Sequence, residues 1–187
     1  MSDRIADGFW RTPILRCGWE YTPWLRDHGS LTRRIQERCT NFAVRNVQSG
    51  LASIALDESA LLGLSSRERA YTREVLLLAD NKPVVFAHSA LAPHLMSGAW
   101  SALRTLGNKP LGALLFAHPQ VERGPLRYKS LRDTHPLHQR ASELLDSLPR
   151  RLWARRSLFY LRGSPLLVTE VFLPQIALLN HDVIKCR

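Results

Sequence analysis

The chain has 187 residues, of which 45% are hydrophobic and 22% charged, so it can fold as one globular domain, 1–187, with a core that needs no disulfide or metal. Wholesale disorder is excluded, and apolar stretches of about ten residues are too short to cross a bilayer. The net charge of +10 indicates an anionic partner, which can be nucleic acid, a membrane surface or a small acid. No recognisable nucleic-acid-binding module is present, so we expect no nucleic-acid partner.

The cysteines and the first residues indicate the compartment. Cys17, Cys39 and Cys186 are odd in number and share no C-x-x-C spacing, which is typical of neither a disulfide framework nor structural zinc. Residues 1–7 lack the apolar segment of a signal peptide. We therefore expect a cytoplasmic protein.

The first quarter of the chain predicts short elements. Residues 1–22 are irregular, with tryptophans among prolines and glycines, and predict a strap across the core. Thr22 is the expected cap of a helix whose first turn contains Pro23, and Ser30 the cap of a second helix, 31–38. Loose alternation predicts a strand over 41–47.

The middle of the chain is organised by a hairpin. Residues 70–79 and 83–90 are rich in β-branched and apolar residues and predict two strands joined by a short turn. Residues 93–106 have apolar side chains at helical spacing, and Gly107 is the expected end of that helix.

The last third predicts a short helix at 110–116, a strand at 123–131, a helix at 136–148, a strong hairpin at 152–174 and a ragged tail, 175–187. Hairpins with helices between them are typical of an α+β domain built on one antiparallel sheet.

Several common sites are absent from the sequence. Residues 107–112 contain two glycines but lack the Lys-Ser/Thr of a P-loop, and no G-x-G-x-x-G is present. Three histidines are close in sequence (His118, His135, His138), but no acidic or cysteine ligand pattern accompanies them. We expect neither a metal nor a cofactor.

Two charges on apolar strand faces are the candidates for chemistry. Period-2 geometry places Arg73 with Tyr71, Val75 and Leu77, and Glu170 with apolar residues of the last strand. Glu170 by itself can be a glutamate at the sheet edge that points to water, and the two charges together can be a buried ion pair. Alternatively, Arg73 binds the carboxylate of a small aromatic or alicyclic acid, and Glu170 contacts a polar group at its far end.

Five segments resemble the chorismate pyruvate-lyase (4-hydroxybenzoate synthase) family. They are 24–34, 69–80, 106–116, 152–157 and 165–174, which occur in the family's order. The Leu-Gly-x-x-Pro-Leu-Gly and Thr-Glu-φ-Phe-Leu-Pro strings, where φ is apolar, are the most specific parts of the match.

The resemblance implies conversion of chorismate to 4-hydroxybenzoate and pyruvate, the entry step to the ubiquinone ring, by a monomer without a cofactor. It also implies an α+β fold with a sheet of about six antiparallel strands and helical flaps over a buried site. Carried over by motif, the catalytic residues are Arg73 and Glu170, and Leu31 and Leu111 complete the substrate-binding set.

The sequence departs from the family pattern in places. Leu31 stands where the family often has methionine, and a glycine that lines the site is replaced near Ala87, where one extra residue also occurs. Segment 120–148 and the tail match poorly. Two other readings stay open: a non-catalytic small-acid-binding domain of the same fold, and nucleic-acid binding driven by charge.

Overall fold

One antiparallel sheet organises the residues that the structure, a computed structural model, describes: 9–12 and 18–180. Its seven strands are β1 Phe42–Ala52, β2 Ala70–Ala79, β3 Lys82–Leu91, β4 Val121–Arg123, β5 Arg127–Arg132, β6 Arg151–Leu161 and β7 Ser164–Phe172. The order across the sheet is β1-β2-β3-β7-β6-β4, with β5 also paired to β6. This α+β architecture confirms the predicted fold class.

The seven strands occupy six positions across the sheet. β4 pairs with residues 159–161 of β6 and β5 with residues 151–156, while β7 takes the other side of β6. β4 and β5 therefore follow one another along the same edge. The expected strand 123–131 is divided because Pro125 has no backbone N–H to donate to a ladder.

Both predicted hairpins are present. Asp80 and Asn81 have φ values of 46° and 65°, and Arg162 and Gly163 have 52° and 75°. Two consecutive positive φ values produce the tight turn whose twist matches that of the flanking strands. The second turn sets the register in which β6 and β7 pair.

Among the described residues, five α-helices lie on the sheet: α1 Thr22–Arg26, α2 Leu31–Gln36, α3 Leu56–Leu62, α4 Leu111–Ala117 and α5 Pro136–Leu144. The Ser30 side chain accepts a hydrogen bond from Arg33 N, which confirms the predicted cap. The predicted Thr22 cap is wrong, because Tyr21 takes that position and the Thr22 hydroxyl donates instead to Gly18 O.

The expected helix at 93–106 is replaced by two 3₁₀ segments, Pro93–Ser97 and Ser101–Thr105. Gly98 between them has φ −123° and ψ −120°, which no helix tolerates. β1 continues to Ala52, five residues beyond its predicted end, because at this sheet edge its later residues pair with β2 while exposing polar side chains.

The sheet has two covered faces. On one, which we call the pocket face, α1 and α2 pack over apolar side chains of β2 and β3 such as Val75 and Val85. On the other, the rear face, Trp10 and α5 pack against Leu76, Phe86 and Val171. Alternation along each strand therefore sends consecutive side chains to different environments.

The ends of the chain are only partly described. A 3₁₀ segment, Pro174–Asn180, takes the place of the first part of the predicted tail. The rest of the tail with Cys186, most of the predicted N-terminal strap and Cys17 lie outside the described residues, whereas Cys39 is a free thiol. Among the helices of residues 9–12 and 18–180, none has the length and apolarity needed to cross a membrane.

Candidate active site

A pocket on the pocket face brings all four predicted site residues together. Arg73 and Glu170 form part of its floor, and Leu31 and Leu111 part of its cover. The remaining lining consists of apolar side chains and a few polar ones: Thr32, Val44, Val75, Leu77, Ala87, His88, Ser89, Pro110, Gly112, Leu115, Phe116, Arg123, Ser157, Phe159 and Val168. Apolar walls with few convergent polar groups are typical of sites for small organic molecules.

Arg73 is a buried cation that pairs with no carboxylate of the described residues. The residue is 4% exposed, and its Nη2 donates to the backbone oxygens of Gly107 and Lys109 at 2.8 and 2.9 Å. Nε is buried and has no hydrogen-bond partner, and no carboxylate of a described residue forms an ion pair with the guanidinium. Burial lowers the pKa of Arg73. An anion bound here would meet a cation that no carboxylate of the described residues compensates.

The Leu-Gly-x-x-Pro-Leu-Gly string holds this arginine. Gly107 has φ 48°, a left-handed conformation that glycine adopts without strain, and the resulting turn directs two carbonyls at Arg73. Pro110 then precedes α4, whose first residue is Leu111. The Asn108 side chain accepts a hydrogen bond from Asn46 N, which ties the turn to β1.

Glu170 is paired with Arg155. The Glu170 Oε2 lies 2.5 Å from Arg155 Nε, and Arg155 is completely buried. Arg155 Nη1 donates to the backbone oxygens of Trp24 and Asp27 at 2.8 and 2.5 Å. The guanidinium thus satisfies carbonyls at the C-terminal end of α1, where a cation is favoured, and holds the carboxylate in place.

Two of the alternatives for Glu170 and Arg73 are therefore wrong. Glu170 is not at a sheet edge, since β7 lies between β3 and β6, and its side chain is only 17% exposed. Arg73 and Glu170 do not form an ion pair with one another, because Arg155 takes that place. Glu170 lies two strands and two residues from Arg73, about 12 Å between Cα atoms from standard sheet spacings.

The helices α2 and α4 meet over the pocket. Leu31 and Leu111 are their first residues, and both line the pocket. A Cβ built on Gly112 of α4 would lie 3.0 Å from Oγ1 of Thr32 in α2 and 3.2 Å from Oγ of Ser30, the N-cap of α2. Only glycine permits this close approach without displacement of a neighbour. The helices therefore cover the site as one layer, in agreement with the helical flaps expected.

Ala87, near which we expect the replacement of a family glycine, lies directly beside Glu170 in the sheet register and lines the pocket. Its methyl group narrows the floor at that point. The β2–β3 register shifts between Leu77 and Leu78, where Val84 is left without a partner. A bulge accommodates one additional residue in a strand, and the extra residue relative to the family stays a prediction.

Arg123 is the main site residue that sequence reasoning missed. Its Nε donates to Ser157 Oγ and its Nη1 to His28 O, both at 2.9 Å. Burial lowers the pKa of Arg123; Glu170 opposes this shift and Arg155 adds to it. The sequence carries no local signal for this role, because β4 has only three residues and its partners are distant along the chain.

The histidines near one another in sequence serve local structure. His118 Nδ1 accepts a hydrogen bond from Gln120 N, His135 Nδ1 accepts from Leu137 N, and His138 Nε2 lies 2.8 Å from Pro149 O. In the part of the chain that the structure describes, no three His, Cys, Asp or Glu side chains come together as metal ligands.

Comparison with known proteins identifies relatives along nearly the whole chain. A family model described as chorismate lyase matches residues 15–181. A probable chorismate pyruvate-lyase of Aromatoleum aromaticum is 51% identical over 168 residues, which cover 89% of this chain and 91% of the relative. One from Nitrosospira multiformis is 51% identical over 154 residues, covering 82% and 86%.

Solved structures share the fold at low identity. The effector domain of PhnF from Mycobacterium smegmatis aligns with a TM-score of 0.52 at 12% identity, covering 79% of this chain and 90% of that one. The ligand-binding domain of a putative GntR-family regulator from Bordetella bronchiseptica aligns with a TM-score of 0.51 at 19% identity, covering 72% and 85%. At such identities the likeness concerns the fold alone.

Proposed function

The chain belongs to the chorismate lyase family, and from that premise we propose that it is a chorismate pyruvate-lyase that converts chorismate to 4-hydroxybenzoate and pyruvate. The observation that carries the proposal is Arg73, a buried cation without a carboxylate partner among the described residues, in a pocket that also contains Glu170. A site of this kind requires an anionic ligand to complete it.

The reaction needs positioning more than chemical machinery. The ether bond between ring carbon C3 and the enolpyruvyl oxygen breaks, with the electron pair leaving on that oxygen, and the hydrogen on C4 leaves as a proton. The ring becomes aromatic, and the released enolate takes up a proton at its methylene carbon to become pyruvate. An enzyme can lower this barrier by orientation and by stabilising the departing charge.

Each site residue has a role in this scheme. Arg73 binds the ring carboxylate through its guanidinium group, whose Nη2 is held by the carbonyls of Gly107 and Lys109. Glu170, held by Arg155, contacts the ring hydroxyl at the opposite end of the ring. Leu31 and Leu111 form the cover against the ring. The distance between the two polar ends then selects a ring acid of one length.

The charge of the protein suits this substrate. Two opposite charges at 4 Å attract by about 4 kcal/mol at an effective dielectric constant of ~20, before the cost of desolvation. Chorismate is a dianion, and a net charge of +10 also increases its local concentration near the protein.

The enzyme acts as a monomer, 1–187, in the cytoplasm, without metal or organic cofactor, and its product enters the ubiquinone ring. Residues 120–148 include β4, so this segment also contributes Arg123 to the pocket.

Purified protein mixed with chorismate should release 4-hydroxybenzoate, measured by its ultraviolet absorbance, and an equal amount of pyruvate. Added EDTA should leave the rate unchanged, and heat-denatured protein supplies the background. Product formation no faster than this background would refute the proposal. Tight 4-hydroxybenzoate binding without turnover would instead identify a small-acid-binding domain, and salt-sensitive retention on DNA or RNA would support a nucleic-acid partner.

A further inference from the structure

Arg123 is a second pocket cation, and its hydrogen-bond partners among the described residues are neutral. Besides its hydrogen bonds to Ser157 and His28, its guanidinium carbon lies 5.7 Å from the centre of the Phe116 ring and 5.3 Å from that of Phe159. Ring faces favour a cation but do not neutralise it. No carboxylate of residues 9–12 or 18–180 comes within ion-pair distance of this side chain.

The charged side chains around the pocket leave a surplus of two positive charges. Glu170 is matched by Arg155 at 2.5 Å, which leaves Arg73 and Arg123 as cations with no counterion among the described residues. A ligand with one carboxylate compensates one of them. A dianion compensates both, so the pocket favours a ligand with two anionic groups.

The sheet register places the two cations at opposite ends of one row. Arg73 pairs with Ser89, Ser89 with Val168, and Val168 with Ser157. Ser157 is the residue that accepts the hydrogen bond from Arg123 Nε. Three strand spacings, about 14 Å, separate the backbones of Arg73 and Ser157. Arg73 and Arg123 both line the pocket that lies over this row.

We propose that Arg123 binds the enolpyruvyl carboxylate of chorismate and thereby distinguishes substrate from product; this rests on the proposed function. With the ring carboxylate on Arg73 and the ring hydroxyl at Glu170, the enolpyruvyl ether is attached to the carbon next to the hydroxyl-bearing one. Its carboxylate therefore extends past the Glu170 end of the ring, toward β6 and β4, where Arg123 lies. 4-Hydroxybenzoate has lost this group and makes no contact with Arg123.

The test compares two ligands in one variant. Arg123→Leu should lower kcat/KM for chorismate roughly 100-fold while the Kd for 4-hydroxybenzoate, measured by calorimetry, stays within about 2-fold of wild type. Arg73→Leu should lower kcat/KM for chorismate and also weaken the binding of 4-hydroxybenzoate. Arg132→Leu, which removes one exposed positive charge from β5, controls for the loss of net charge and should change neither value by more than about 2-fold.

Two further variants separate binding from structure. Arg123→Lys keeps the charge but not the planar fork, so its kcat/KM should lie between those of wild type and Arg123→Leu. Ser157→Ala removes the Arg123 Nε partner and should lower kcat/KM for chorismate about 10-fold, with 4-hydroxybenzoate affinity again retained. An equal loss of kcat/KM for chorismate and of affinity for 4-hydroxybenzoate in the Arg123 variants, or unchanged chorismate turnover, would overturn the assignment.

The failure of each proposal has its own signature. Wild-type protein without turnover contradicts the lyase function. Calorimetry then still decides the role of Arg123, because Arg123→Leu must weaken chorismate binding and spare 4-hydroxybenzoate binding. Active wild-type protein with an equally active Arg123→Leu variant contradicts only the role of Arg123. Should Arg123→Leu fail to fold, Ser157→Ala gives the same comparison.

Discussion

The two faces of the sheet treat buried charge differently. Two strands show this with consecutive residues: β2 sends Arg73 to the pocket face and Glu74 to the rear face, and β6 sends Arg155 to the pocket face and Arg156 to the rear. All four are at most 9% exposed. Side chains of this type are seldom buried unless they are paired.

On the rear face the protein supplies the partners itself. Arg156 Nη1 lies 2.7 Å from Asp57 Oδ2, and Glu74 Oε2 lies 2.7 Å from Arg140 Nε. His88 completes the group, 3.4 Å from Glu74 and close to a second carboxylate. On the pocket face Arg73 and Arg123 have no such partner among the described residues. We therefore propose that the rear-face charges serve stability, whereas Arg73 and Arg123 on the pocket face serve a ligand.

The largest test of this contrast is Arg73→Leu. We expect the affinity for 4-hydroxybenzoate to fall by about 3–4 kcal/mol, since a buried charge-assisted contact is lost. The free energy of unfolding should change by less than about 2 kcal/mol, because removal of an uncompensated buried cation offsets the two carbonyls left unpaired. Calorimetry and urea unfolding measure the two quantities. If Arg73→Leu lowers the free energy of unfolding by more than it weakens 4-hydroxybenzoate binding, the contrast between the two faces is contradicted.

Asp57→Asn tests the rear face, where we expect the reverse result: stability falls and ligand affinity is retained. Arg156 is 2% exposed, and its ion pair with Asp57 should contribute about 2 kcal/mol to the free energy of unfolding. This is less than expected for a fully buried pair, because the Asp57 side chain is 17% exposed. The urea midpoint should fall while 4-hydroxybenzoate affinity is retained. The matched control is Asp133→Asn, since Asp133 pairs with Arg150, whose side chain is 92% exposed; its effect should stay below about 0.5 kcal/mol. Equal losses in both variants would contradict the prediction.

The smallest expected effect is a pH dependence that originates at His88. Burial by itself lowers the pKa of His88, but the nearby carboxylates of Glu58 and Glu74 more than offset it, so the pKa is raised above its ordinary value. The protonated imidazolium therefore contributes stability that is complete below the unfolded pKa of about 6.5. It is lost as pH rises through the folded pKa, with a slope of at most about 1.4 kcal/mol per pH unit.

Urea unfolding between pH 6 and 9 measures that slope. His88→Gln should flatten it, whereas His94→Gln, which changes an exposed histidine, should retain it. Glu74 contributes to the free energy of unfolding in a different pH range. Burial raises the pKa of Glu74, but the hydrogen bonds and positive charges of His88 and Arg140 outweigh burial, so the pKa is lowered overall. The contribution of Glu74 to stability is therefore present above the pKa of the unfolded state and is lost as the pH falls through the folded pKa. Wild-type stability that is flat across this range would exclude the rear-face role of His88.

One site residue could have been found by counting from a turn. The sequence identifies the turn at Arg162–Pro165, and in a two-residue hairpin the register follows from the turn alone. Counting outward along both strands pairs Arg155 with Glu170, as the structure shows. Within the sequence, Arg155 was only one of two adjacent arginines, and its burial needed the carbonyls of α1, which lies some 130 residues earlier.

What the sequence determined by itself is local. Turn residues, β-rich runs and the period of 2 were sufficient for the hairpins, for most strands and for Arg73 and Glu170 as unusual charges on apolar faces. The resemblance added Leu31 and Leu111, and all four residues line one pocket.

Only the tertiary structure decided which charges are compensated. Whether Arg73 or Arg123 has a carboxylate depends on strands and loops far apart in sequence, such as His28, which accepts a hydrogen bond from Arg123 across 95 residues. Alternation tells which face a side chain takes, but electrostatic energy depends on the distance between groups and on burial. Local pattern contains neither quantity, and for that reason the two-cation pocket became visible only in the folded chain.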